Sequence, residues 1–89
     1  MRLDVLLFEL RLFKSRSQAS EAIQQGRALL NGAQAKPSRE ARPGDRVTLV
    51  QVDAARGPAR RRTLEVLELP RGSLSREAAR DLVREVPES

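Results

Sequence analysis

Leu3, Leu6, Leu7 and Leu10 recur at helical spacing, and Val5, Phe8 and Leu12 form a second stripe on the opposite side. This pattern predicts a short helix that is apolar on two sides and sandwiched between a second helix and a sheet. Asp4 falls in its first turn, where a carboxylate suits the helix dipole. A second helix is announced by Ser15 with Gln18 three residues on, a capping-box pattern. Its inner face is Ala19, Ala22 and Ile23, and Gly26 supplies a stop.

From Arg27 the period changes. Ala28-Leu29-Leu30 reads as a short strand, Asn31-Gly32 as a two-residue hairpin turn, and Ala33 to Lys36 as the returning strand, ended by Pro37. Pro43-Gly44-Asp45 predicts a turn, with Val47, Thr48 and Leu49 in a strand running towards Val52. Asp53 to Arg62 reads as a polar loop ending in three arginines, and Thr63 to Leu69 as a further strand stopped by Pro70 and Gly72. Leu74, Ala78, Ala79, Leu82, Val83 and Val86 fit one face of a last helix, with Ser75 or Ser73 as its cap. The order helix, helix, three or more strands, helix gives an α+β fold with no internal repeat.

Charge changes the picture. Of 17 Lys+Arg and 12 Asp+Glu, residues 1–50 carry nine bases and five acids, residues 51–75 five and three, and residues 76–89 three and four. The positive charge belongs to the body of the chain, which favours a polyanionic partner. Arg11, Lys14 and Arg16 lie within six residues with no acid among them, at the start of the second predicted helix. Helix N–H groups already attract phosphate there, and flanking cations add charge-assisted bonds. The plain alternative is a solvated turn between helices. Lys36, Ser38, Arg39 and Arg42 follow the hairpin. A helix pair and a hairpin joined at Gly26 must lie adjacent, so these cations can share one surface with the first cluster. Arg60, Arg61 and Arg62 are an accessory contact, or a solubilising edge.

Composition then excludes chemistry. With no His and no Cys, the chain lacks thiol nucleophiles, thiolate or imidazole metal sites and a histidine base. No catalytic residue, metal or cofactor is expected. Asp4, Glu9 and Glu21 read as capping and surface-pairing carboxylates. Leu3 to Phe13 is too short to span a bilayer and carries no cleavage site, so no membrane role and a cytoplasmic location are expected. There is no Tyr or Trp, and Phe8 and Phe13 read as core. Readers of unstacked single strands depend on exposed aromatics, so the shape and backbone of folded RNA are the expected target.

Residues 2–49 resemble the S-four RNA-binding domain, named for the fourth protein of the small ribosomal subunit. The likeness rests on Arg2-Leu3-Asp4, Arg11, Ser15 to Ala19, Ile23, Gly26, Asn31-Gly32, Lys36-Pro37-Ser38 and Pro43-Gly44-Asp45, in that order. It implies the S-four (αL) fold, two N-terminal helices on a small twisted, mostly antiparallel sheet, here with a C-terminal helix. Residues 1–50 would form the domain, and residues 51–89 an extension of basic loop, strand and helix packed on the same core. The domain also occurs on pseudouridine synthases, tyrosyl-tRNA synthetases and methyltransferases. Starting at Met1 and followed by a strand and a helix, it is similar here to free-standing ribosome-associated proteins: the fifteen-kilodalton heat-shock type and the shorter ribosome quality-control P factors. Glu77 to Ala79 fits both groups; the last helix lacks their aromatics and the chain lacks the long basic tail of the heat-shock type.

What the resemblance implies is a non-catalytic protein that docks on rRNA and tRNA of blocked large ribosomal subunits; a monomer is expected. Arg2, Arg11, Lys14, Arg16, Lys36, Arg39 and Arg42 would meet phosphate and sugar, and Ser15, Gln18 and Ser38 would add hydrogen bonds. Two other classes remain open. The chain could target a catalytic partner to RNA, which co-purification would detect. It could bind DNA through a helix-turn-helix-like pair, which competition between duplex DNA and structured RNA would test.

Overall fold

The computed structural model describes residues 1–51, 60–71 and 75–87. Its elements are α1 (Leu3–Glu9), α2 (Arg16–Gln24), β1 (Ala28–Leu30), β2 (Arg46–Gln51), β3 (Arg60–Val66), α3 (Arg76–Arg80) and β4 (Val83–Val86). The four strands form one antiparallel sheet in the order β1-β2-β3-β4, so the fold is α+β as the patterning predicts.

The α1 stripe Leu3, Leu6, Leu7 and Leu10 is buried, and it meets Ala19, Ala22 and Ile23 of α2. Small alanines let α2 lie close. Leu30 faces Val47, and Val47 faces Leu64, in a row beneath the helices. Val66 of β3 joins the same cluster, with Leu69, Leu82 and Val83 packed at its margin. The opposite face carries Thr48 and Thr63, whose hydroxyls lie 3.0 Å apart.

Both helices end in the same way. After α1, Leu12 N donates to Leu7 O and Arg11 N to Phe8 O; after α2, Arg27 N donates to Ala22 O and Gly26 N to Ile23 O. This is a Schellman arrangement, whose turning residue sits in the left-handed region. Gly26 fills it at φ 76°, as expected, but after α1 the residue is Arg11 at φ 63°.

Several expectations need correction. Asn31 and Gly32 form the turn, at φ 53° and 81°, but the returning strand stops at Ala33, which bridges Leu30 alone. The partner of β1 is β2, because Val47 and Leu49 offer it apolar neighbours that Gln34 and Lys36 do not. Arg60, Arg61 and Arg62 belong to β3 and not to a loop, and β3 ends at Val66 and not Leu69. The last helix is only five residues long; Ser75 caps it by accepting from Ala78 N, and Val83 to Val86 turn into β4. Beta-branched valines, plus the ion pairs Arg84–Glu65 at 2.8 Å and Arg62–Glu85 at 3.1 Å, favour pairing with the free edge of β3. In α1 the stripe of Val5, Phe8 and Leu12 is only half-buried, so the helix is not fully sandwiched, and Phe8 is not a core residue as Phe13 partly is. Asp4 is buried and not a surface carboxylate. The predicted loop over Asp53 to Ala59, the stop at Gly72, the alternative cap Ser73 and the apolar Leu74 lie outside the described residues.

Candidate nucleic-acid interface

α1 begins without a side-chain cap. Its orphan N–H groups are satisfied by the loop that follows β1: Leu3 N donates to Arg39 O (2.8 Å) and Asp4 N to Pro37 O (3.1 Å). Ala41 N donates back to Met1 O (2.8 Å), so the N-terminal residues and residues 39–41 are stitched together by main chain. The Met1 ammonium adds an ion pair with Glu40 at 2.6 Å, and its hydrogen bond and charge hold the Glu40 carboxyl below the usual carboxylate range. A stretch with little regular structure is thereby fixed against the start of α1.

Asp4 is the hinge of this region. Only 5% exposed, it accepts from Val5 N (2.8 Å) and from Arg2 Nε and Nη2 (3.2 and 3.1 Å). It also lines a groove of about 520 Å³ with Arg16, Ser17, Ser20, Glu21 and Gln24 of α2. Arg16 enters α2 just after Ser15, whose hydroxyl accepts from Gln18 N at 3.1 Å. Only this half of the capping box is made; the Gln18 side chain is exposed. Lys36, Ser38 and Arg39 line a second cleft of about 480 Å³ with Leu30, Asn31, Ala33, Gln34 and Ala35. Asp4 thus pairs with Arg2, shares its groove with Arg16, and is bonded through its N–H to Pro37 within the Lys36–Arg39 segment.

The remaining candidates stand elsewhere. Arg11 and Lys14 lie beyond the far end of α1, whose last residue, Glu9, is about 7.5 Å of helix from Asp4 at 1.5 Å per residue. Arg42 lies at the next turn, where its N–H donates to Asp45 at 2.9 Å. Arg61 is on the outer sheet face, and Arg62 is tied to Glu85. Lys14, Arg16, Lys36, Arg39 and Arg42 are exposed, and their side chains make no ion pair among the described residues.

Some supporting residues carry little sequence signal. Gln34 Nε2 donates to Gln24 O (2.8 Å), tying the hairpin to the end of α2, and Asn31 bonds both Asp45 Oδ1 (3.2 Å) and Arg46 N (2.9 Å). Ser17, Ser20 and Gln24 were legible only as the helical continuation of Arg16. Among the described residues no cluster of three or more metal-ligating side chains occurs, and no helix is long and apolar enough to cross a membrane.

The chain is 49% identical over 49 residues to the RQC P-site tRNA stabilizing factor of Bacillus subtilis (strain 168), a match covering 55% of this chain and 57% of that relative. The fold superposes on the trimeric structure of Vibrio cholerae Heat Shock Protein 15 with a TM-score of 0.83 and 29% identity, covering 97% of this chain and 81% of that one. These are the two groups the sequence resembles. Residues 1–47, which hold α1, α2, β1 and the loop stitched to α1, match the sequence model of the S4 domain, and the chain belongs to the S4 domain family of RNA-binding modules.

Proposed function

We propose that this protein docks on rRNA and tRNA of the large ribosomal subunit, without catalysis of its own, in the rescue or quality control of stalled subunits that carry peptidyl-tRNA. The observation that carries the reading is the position of buried Asp4, which pairs with exposed Arg2, shares a groove with Arg16 and is bonded through its N–H to the Lys36–Arg39 segment, whose main chain is held by helix donors. Unpaired cations held in place meet phosphates without first losing partners or much backbone freedom. Arg11, Lys14 and Arg42 extend the contact, Ser15, Gln18 and Ser38 add hydrogen bonds, and Arg60 to Arg62 are accessory.

Support also comes from the Bacillus subtilis relative, whose name states that it stabilises P-site tRNA. Residues 1–50 act as the RNA-binding unit, and residues 51–89 extend the same core. Two surfaces met at once, rRNA and tRNA, each weak alone, give selectivity for tRNA-bearing subunits. The site of action is the cytoplasm. Gradient sedimentation of lysate tests the reading by comparing empty large subunits with subunits carrying peptidyl-tRNA. Enrichment on the latter is expected; indifference to the tRNA, or turnover of RNA by the purified protein, overturns it.

We also propose that the chain acts as a monomer. Its outer strand β4 presents exposed Arg84 and Glu85, charges that discourage edge pairing with another copy. Sedimentation velocity reads this directly, and a trimer, as described for the Vibrio cholerae protein, would refute it.

A further inference from the structure

The cleft behind the hairpin is built differently from the rest of the basic surface. Its rim is cationic, with Lys36 and Arg39 exposed and unpaired among the described residues. Its other walls are the polar Asn31, Gln34 and Ser38 and an aliphatic patch of Leu30, Ala33 and Ala35, which has nothing to offer a phosphate. Gln34, Ala35 and Lys36 belong to no strand. Their N–H groups donate to nothing among the described residues, and the carbonyls of Gln34 and Ala35 accept from nothing. Main-chain polar groups in a half-buried stretch such as Ala35 normally have partners, so donors and acceptors stand ready there for water or a ligand. At about 480 Å³ the cleft lies towards the low end of the roughly 300–1,000 Å³ typical of small-molecule sites.

A ligand that satisfies this lining needs an anion at the rim and, beyond it, a flat body with apolar faces and a hydrogen-bonding edge. Uniform phosphate backbone leaves the aliphatic patch of Leu30, Ala33 and Ala35 unmet. We propose that the cleft takes one unpaired nucleotide of the docked RNA: its phosphate meets Lys36 and Arg39, its base slides against Ala33 and Ala35, and its edge pairs with the free main-chain groups of Gln34 to Lys36. This rests on the RNA-docking reading and adds a base-reading subsite to it. Aromatics are not needed, because the base is gripped by methyl groups and amides instead of stacked on a ring. Single-stranded loops and bulges of folded RNA supply a splayed base of this kind.

Amide NMR titrations of the full chain test the inference, using the four nucleoside 5′-monophosphates, ribose 5-phosphate, a tRNA transcript and a poly-glutamate peptide. At least one nucleoside monophosphate should shift the amides of Ala33, Gln34 and Ala35 and bind roughly tenfold tighter than ribose 5-phosphate, the size expected when a base gains apolar contact. Ala33→Leu, at an exposed position, should erase that tenfold difference without changing the melting temperature. The tRNA should displace the monophosphate. Ribose 5-phosphate or poly-glutamate matching the nucleotides, or unmoved Ala33–Ala35 amides, would overturn the subsite while leaving backbone docking in place. Monophosphate shifts that persist under saturating tRNA would assign the cleft to free nucleotides and equally overturn it. A tRNA that shifts no amide anywhere would sink the docking reading itself.

Discussion

The double substitution Arg16→Ala, Arg39→Ala separates an electrostatic interface from a merely basic surface. Five candidate cations, Lys14, Arg16, Lys36, Arg39 and Arg42, are exposed with no ion pair among the described residues. If each neutralises one phosphate, at about 0.7–0.9 per contact, the slope of log affinity against log salt is about −3.5 to −4.5. Affinity then falls by roughly 130- to 500-fold between about 50 and 200 mM salt. Removing Arg16 and Arg39 leaves three contacts, a slope of about −2.1 to −2.7, and a loss of only roughly 20- to 40-fold over the same range.

Neither side chain holds the fold. Arg39 contributes its carbonyl to Leu3, which alanine keeps, and exposed substitutions usually move stability by less than about 0.5 kcal/mol. For 89 residues that is under about 3 °C in melting temperature. Fluorescence anisotropy with a labelled tRNA transcript over a salt series measures the slope, and Arg84→Ala is the control because Arg84 is already paired with Glu65. A double variant that keeps the parent slope, or an Arg84→Ala that lowers it as much, refutes the assignment of phosphate contacts to the region around Asp4.

The N-terminal half was legible because local rules and tertiary packing agree there. The leucine stripe, the Ser15 cap, Gly26 and the Asn31-Gly32 turn each specify one conformation, and the core accepts all of them. The second half misled because residues 74–86 satisfy two periods at once. Ala78, Ala79, Leu82, Val83 and Val86 fall on one helical face, but Val83 and Val86 also suit a strand, and the unpaired edge of β3 decides for β4. Such an edge is a tertiary fact with no trace in local spacing. The cations of the site were readable by type; that Asp4 would be buried beneath Arg2 was not, because Arg-Leu-Asp gives no hint of which side chain the loop at Pro37 covers.

Leu6→Ala removes a fully buried side chain from the α1–α2 contact and should cost about 2–5 kcal/mol, a drop of roughly 10–25 °C by thermal melt; a loss below about 1 kcal/mol would deny Leu6 a core role. The carboxyls of Glu40 and Glu65 lie below their ordinary value of 4.5, through the Met1 ammonium and Arg84 respectively, so their contribution to stability is present above that value and lost as pH falls through the lowered native values. Melts across that acid range should flatten in Glu40→Gln, Glu65→Gln, and an unchanged pH profile would refute the linkage. Arg11 occupies at φ 63° the position that Gly26 occupies after α2. A left-handed backbone costs an L residue other than glycine about 1–2 kcal/mol, and such strain tends to collect where a side chain is needed for function. Glycine relieves the strain but loosens the unfolded chain by about 0.4–1 kcal/mol, so the two effects partly cancel. Arg11→Gly should therefore hold or slightly raise the melting temperature while weakening tRNA binding. A stability trade against function of this kind is the mark of a cation retained for its partner. Unchanged binding together with a lower melting temperature would make Arg11 a structural residue, held in its strained backbone by contacts within the fold.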